Sequence, residues 1–224
     1  MPRFQNRTVI VTGGAGGIGG ATCRRCGAEG ARVAVFDLNL EAADQVAADI
    51  RAAGGQALAL RCDITDRASV AAAVAATEAQ LGPIDVLVNN AGWDVFKPFT
   101  KTEAAEWDKL IAINLTGPLN LHHAVLPRMV ERRAGRIVNI ASDAARVGST
   151  GEAVYAACKA GLLGFSKTLA REHAVARQGQ RRHSHPQRLA GGGGAVVGGS
   201  IGGGELQNAV AQLGEIEAIA GDTA

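Results

Sequence analysis

The sequence predicts a doubly wound α/β fold, a parallel sheet with helices on both faces. Three observations predict it. Short β-branched apolar runs recur along the chain, such as Thr-Val-Ile-Val-Thr at residues 8–12. Longer Ala-rich stretches with helical spacing separate them. Turn residues such as Gly54-Gly55 and Gly82-Pro83 stand at the joins. A strand that is apolar on both faces must be covered on both, and helical crossovers supply the cover.

The first strand, residues 8–12, leads through a glycine cluster into a helix from 18 to about 29. A second strand covers 32–36 and ends at Asp37. A helix over 41–53 stops at Gly54-Gly55. Residues 57–61 give the third strand. Asp66 is placed to cap a helix running to about Leu81, because its carboxylate can accept a free first-turn N–H. Gly82-Pro83 ends that helix. The fourth strand covers 84–88, two helices occupy 103–113 and 117–133, the fifth strand covers 136–140, and a long helix covers 152–173.

Patterning stops near Ala174. Residues 1–174 hold 18 glycines, whereas residues 175–224 hold 12, nine of them between Gly191 and Gly204. Phe165 is the last aromatic residue. The chain therefore divides into a patterned body, 1–174, and an atypical Gly-rich tail, 175–224. The tail is expected to be poorly ordered or misfolded, with a short helix near 205–220. Its abrupt start and Gly/Ala/Arg bias point to a frame change or a wrongly joined coding segment, with genuine divergence as the alternative. Translating the other two frames after codon 174 tests this, and the idea fails if neither encodes strand-like sequence.

Composition narrows the function. Of 224 residues, 47% are hydrophobic and 20% charged, and 23 basic against 21 acidic residues leave a net charge of +2. That balance argues against a nucleic-acid binder, which carries a basic surplus. No stretch approaches the roughly 18 apolar residues of a membrane span. Met1–Arg7 has no apolar run after its charges, so no secretory signal is expected. Four cysteines do not make a disulfide scaffold, which points to a reducing cytoplasm.

The glycines between strand one and helix one carry the first chemistry: Thr12-Gly13-Gly14-Ala15-Gly16-Gly17-Ile18-Gly19-Gly20. A helix N-terminus offers N–H groups and a positive dipole end, which suits a pyrophosphate. Glycine lets phosphate approach the backbone. Asp37 lies 18 residues after Gly19, near the spacing of the acid that binds an adenosine ribose. Its carboxylate would repel a 2′-phosphate, and Gly13–Gly20 contains no Lys or Arg. NAD is therefore expected rather than NADP. Asp37 also suits capping of the turn after it, and the two roles are compatible.

Asn114, Ser142, Tyr155 and Lys159 carry the second. Tyr155 and Lys159 stand four apart and share one helical face. A phenol ionises near pH ~10, and an adjacent ammonium lowers that value. Tyr155 would then exchange a proton with a substrate alcohol or ketone. Ser142 follows the fifth strand, where such sheets bind ligands.

Together, Thr12-Gly13-x-x-x-Gly17-Ile18-Gly19, Asn89-Asn90-Ala91-Gly92, Asn114, Ser142 and Tyr155-x-x-x-Lys159 resemble the short-chain dehydrogenase/reductase family over about residues 5–174. The resemblance implies a Rossmann-like domain that binds a nicotinamide cofactor. It implies that Tyr155 is the general acid/base and that Lys159 lowers its pKa and holds the nicotinamide ribose. Ser142 would orient substrate, and Asn114 would hold a proton-relay water. Asp63 matches a residue contacting the adenine, and Asn90 one that steadies the central sheet. Gly13, Gly17, Ile18, Gly19, Ala91 and Gly92 fall in the cofactor-binding motifs. A homotetramer built on the helices of Asn114 and Tyr155 is implied as well.

Asn90–Phe99 and Ser142–Gly148 are similar to the branch of the family that acts on 2-hydroxycyclohexanecarboxyl-CoA. A small-molecule substrate, in the form of a CoA thioester, follows from that likeness. Trp93, Phe96 and Phe99 would wall a ring, or simply pack their loop. Lys97 and Arg146 would meet a CoA phosphate, or remain surface charges. The alternatives are a 3-oxoacyl reductase, which Asp37 disfavours, and a catalytically impaired nucleotide-binding fragment. Family members continue with a sixth strand ending in Pro-Gly, a substrate-covering segment and a seventh strand. After Ala174 none is legible, so the C-terminal strands are expected to be missing or altered.

No metal is expected. Cys23-Arg24-Arg25-Cys26 has redox-motif spacing but lies inside a helix. His122 and His123 are adjacent and point apart, and His183 and His185 have no carboxylate or cysteine near them in sequence.

Overall fold

A computed structural model describes the backbone of residues 2–181 and 195–199, and the side chains of 2–173. The expected helix near 205–220 lies outside the described residues, as do His183 and His185. Six parallel strands form one sheet in the order β3-β2-β1-β4-β5-β6. They are β1 (Thr8–Thr12), β2 (Arg32–Asp37), β3 (Gln56–Arg61), β4 (Ile84–Asn89), β5 (Arg136–Ile140) and β6 (Ala195–Gly199). The helices are α1 (Gly17–Ala28), α2 (Leu40–Ala52), α3 (Arg67–Leu81), α4 (Ala104–Ile111), α5 (Gly117–Arg132), α6 (Ala144–Val147) and α7 (Ala153–Arg181).

Side-chain alternation builds two apolar layers. Val9, Val11, Val33 and Val35 enter the layer containing Cys23 and Cys26 of α1 and Val46 and Ile50 of α2. Ile10, Ala34, Phe36 and Leu87 enter the opposite layer with Val70 and Val74 of α3 and Leu121, Val125 and Met129 of α5. All five residues of β1 are buried, which is why its sequence reads as a continuous apolar run. The chain returns past β1 between β3 and β4, so the strand order reverses between β1 and β4. Ligands of such sheets bind beyond the strand ends at that switch point.

The predicted joins hold. The Asp66 carboxylate accepts the Ala68 N–H at 2.9 Å and caps α3. Three features differ from the sequence expectation. Helices 103–113 and 117–133 are joined by a π-helical turn, Ala112–Thr116, with Asn114 buried inside it. The long helix does not end at His173; α7 runs to Arg181, because Ala-Val-Ala-Arg-Gln favours helix. A sixth strand exists after all. Ala195–Gly199 pairs with the free edge of β5, matching Val138 to Val197. It ends in Gly-Gly rather than Pro-Gly, so this strand is altered and not missing.

One buried polar network ties α5 and α7 to the sheet centre. The Asn89 amide donates to Asn139 at 2.8 Å, and Asn139 donates to the Ser166 hydroxyl at 2.8 Å. His122 Nδ1 lies 2.7 Å from the Pro118 carbonyl, so Nδ1 carries the proton and donates. Nε2 therefore faces the Asn139 amide as an acceptor. Burial pushes the His122 pKa down. The unfolded chain takes up a proton near pH ~6.5, and the folded chain does so only at lower pH. This contribution to stability is complete above that pH and is lost as pH falls below it. Urea unfolding from pH 8 to pH 5 checks this: His122→Gln should lose less stability over that range than the parent.

Candidate active site

The turn between β1 and α1 is shaped for close approach. Gly13 has φ +62°, and a Cβ there would lie 2.9 Å from Ala91 Cα. A Cβ on Gly19 would lie 2.1 Å from the Gly13 carbonyl and 2.6 Å from the Asn90 amide. By contrast, nothing lies within 4 Å of a Cβ built on Gly16 or Gly17. The 12-residue α1 begins there with no side-chain cap and no acidic residue in its first turn. An open, uncapped helix N-terminus fits an anionic pyrophosphate.

Neighbouring strands hold this turn in place. Thr12 Oγ1 accepts the N–H groups of Asn90 and Ala91, both at 3.0 Å. The Asn90 amide returns a bond to the Thr12 carbonyl at 3.0 Å. Asp37 accepts the Ala15 N–H at 3.0 Å and the Asn39 N–H at 3.0 Å. It therefore braces the glycine turn and caps the turn after β2 together. Asp63 accepts from both the Thr65 N–H, at 2.9 Å, and the Thr65 hydroxyl, at 2.7 Å.

The second group meets at the same end of the sheet. The Ser142 and Tyr155 side chains interact, and Ser142 Oγ accepts the Ala144 N–H at 3.2 Å. Lys159 is buried one turn further along α7, its Nζ 5.6 Å from the Tyr155 ring centre and 2.9 Å from the Ile140 carbonyl. A Cβ on Gly92 would sit 3.0 Å from Asn114 Oδ1 and 3.6 Å from Lys159 Nζ, so these three converge. The Asn114 amide donates to the carbonyls of Trp93, at 2.6 Å, and Leu110, at 3.1 Å. Its side chain clamps the loop after β4. A tyrosine beside a serine and a buried lysine is a grouping able to exchange a proton with a bound oxygen, and the open helix N-terminus beside it is able to hold an anion.

Residues 7–177 match the family model for short chain dehydrogenase. The chain belongs to the short-chain dehydrogenase family. D-threitol dehydrogenase of Mycolicibacterium smegmatis is 42% identical over 170 residues, which are 76% of this chain and 65% of that protein. The chain thus spans slightly under two thirds of that relative. The NAD+-bound structure of xylitol dehydrogenase shares 33% identity at a TM-score of 0.74, covering 77% of this chain and 67% of that one. A metagenomic short-chain oxidoreductase in complex with NADP shares 34% identity at a TM-score of 0.80, covering 94% of this chain and 90% of that one. These relatives fit a nicotinamide-linked oxidoreductase and leave the choice between NAD and NADP open.

Burial pushes the Tyr155 phenol up; the Ser142 hydroxyl opposes this, and the charges of Asp94 and Glu152 reinforce it. Lys159 is itself pushed down to about 8 by burial. The two side chains share a face of α7, with the ammonium over the Tyr155 ring, 5.6 Å from its centre.

The loop after β4 also departs from a simple aromatic wall. Phe99 lines a cavity with Tyr155 but stacks on Trp107, ring centres 5.3 Å apart. Trp93 lies under the Lys109 ammonium at 4.0 Å. Phe96 is 77% exposed and packs against Gly151. Lys97 pairs with Glu106 at 3.0 Å and Arg146 with Asp143 at 2.8 Å, so both are engaged within the chain. Cys23 and Cys26 are fully buried, and burial pushes the Cys26 thiol up to about 12, which suits packing and not redox work. Among the described residues no helix is long and apolar enough to cross a membrane.

Sequence reasoning missed two residues of this site, Asp94 and Glu152. Both line the cavity at Tyr155. Glu152 was findable, because it precedes Tyr155 by three and so shares its helical face. Nothing local marks Asp94.

Proposed function

We propose that this chain is an NAD-linked dehydrogenase that oxidises a secondary alcohol to a ketone. Its substrate is a cyclic β-hydroxyacyl thioester such as 2-hydroxycyclohexanecarboxyl-CoA. The carrying observation is the grouping of Tyr155, Ser142, Asn114 and buried Lys159 at the strand ends beside the glycine turn. Ser142 steadies the reacting oxygen, and Tyr155 takes the alcohol proton. Lys159 holds positive charge beneath the ring. Bound NAD supplies hydride acceptance.

NAD is favoured over NADP by Asp37, whose carboxylate faces the glycine turn through Ala15. Leu38, and not a cation, follows it. A 2′-phosphate brought there meets like charge. The thioester rests on the likeness of 90–99 and 142–148 to dehydrogenases of that kind. A second reading, oxidation of a neutral polyol, is favoured by the names of the threitol and xylitol relatives.

Initial rates of NADH and NADPH formation test this, using the cyclic hydroxyacyl thioester, threitol and xylitol. NAD should exceed NADP by about tenfold or more in kcat/KM, and Asp37→Ala should narrow the gap. The thioester should exceed both polyols. A preference for NADP sinks the cofactor assignment, and turnover of polyols alone sinks the thioester.

A further inference from the structure

Asp94, on the loop after β4, and Glu152, at the entrance to α7, line the same side of the Tyr155 cavity, each within the field of the other. A direct backbone bond joins their loops, from Lys97 N–H to the Gly151 carbonyl at 2.9 Å. Both acids are half-buried in the wall of an open cleft that also contains Tyr155, Phe99 and Leu110. Glu152 has a structural reason to be there, since an acid at a helix N-terminus is favourable. Asp94 has none. Its carboxyl faces a like charge, and burial and Glu152 push its pKa up to about 6.

The charged neighbours do not relieve the pair. Lys97, in the same wall, is held by Glu106 at 3.0 Å. Lys109 lies over Trp93 at 4.0 Å. Lys159 donates to the Ile140 carbonyl at 2.9 Å. Glu106 is matched by Lys97 and adds no net charge, which leaves Asp94 and Glu152 to set the field. At neutral pH the substrate end of the cavity is therefore anionic, and the Tyr155 hydroxyl stands within its field.

We propose that Asp94 and Glu152 are a charge filter on the substrate. They reject an alcohol whose carbinol neighbours a free carboxylate, and admit the same alcohol when that carboxyl is masked as a neutral thioester, ester or amide. The filter rests on the reading that Tyr155 meets the secondary alcohol in this cavity, and it deepens that reading by specifying the substrate's charge. A carboxylate a few ångströms from two others is repelled by an amount that compounds to about tenfold or more in binding, even at a high effective dielectric.

The test is binding of two matched probes, cyclohexanecarboxylate and cyclohexanecarboxamide, to the NADH-saturated chain at pH 7.5 by calorimetry. The amide should bind about tenfold tighter than the carboxylate. Asp94→Asn/Glu152→Gln should bring the two affinities within about twofold, and Glu152→Gln alone should give an intermediate ratio. The NADH-induced rise in melting temperature, unchanged in the variants, shows that they fold. An unchanged ratio in the double variant overturns the filter. So does equal affinity in the parent chain, or no binding of either probe. Failure to bind NADH appears before a probe is added and overturns the dehydrogenase reading along with the filter. Alcohol turnover without charge discrimination overturns the filter alone.

Discussion

Phenylalanine at position 155 leaves NADH binding intact and lowers kcat by about 10²- to 10⁴-fold, the usual share of a general acid–base group. Only the hydroxyl is lost. The ring still fills its half-buried site on α7, and Ser142 keeps its bond to the Ala144 N–H. Steady-state rates in both directions check this, and a variant with near-parental kcat removes Tyr155 from the chemistry. The pH dependence follows from the direction of its pKa. Burial and the two carboxylates keep the phenol protonated at neutral pH. Ketone reduction, which needs the proton, should be sustained at pH 7 and fall in the alkaline range. Alcohol oxidation, which needs the phenolate, should rise over that range. Lys159 loses its charge above about pH 8, which opposes the rise.

Alanine at position 19 should destabilise the chain by about 2–3 kcal/mol and abolish the response of the melt to NADH. The added Cβ meets the Gly13 carbonyl at 2.1 Å, a backbone atom that no rotamer can move aside. Relief requires the glycine turn to leave the Asn90 and Ala91 backbones, which Thr12 and Asn90 hold fast. Such a loss lowers the melting temperature by about 5–10 °C in a chain of this size. Gly16→Ala is the control. Its Cβ meets nothing within 4 Å, so stability should change little. Equal destabilisation by the two substitutions would contradict the packing argument.

The strands were legible because each is apolar on both faces. Val9 and Ile10 go to different layers, and the sequence records both. Asp66 and Gly82-Pro83 were legible because caps and stops are local chemistry. The glycine turn, Asp37, Tyr155 and Lys159 were legible through spacing alone. β6 was not, because Ala-Val-Val among glycines becomes a strand through the unpaired edge of β5 and not through its own propensity. The π-helical turn around Asn114 shifts a hydrogen-bond register without leaving a residue pattern. The direction of the Tyr155 pKa depends on burial and on Asp94, which a separate loop brings to it.

A thermal melt of the purified chain with and without saturating NADH tests the central claim most directly. A ligand that binds only the folded state adds about 2.7 kcal/mol at a hundredfold over its Kd. The account predicts a single cooperative transition whose midpoint rises with NADH. A midpoint that stays fixed at saturating NADH would contradict it, because the glycine turn and Asp37 would then hold no dinucleotide.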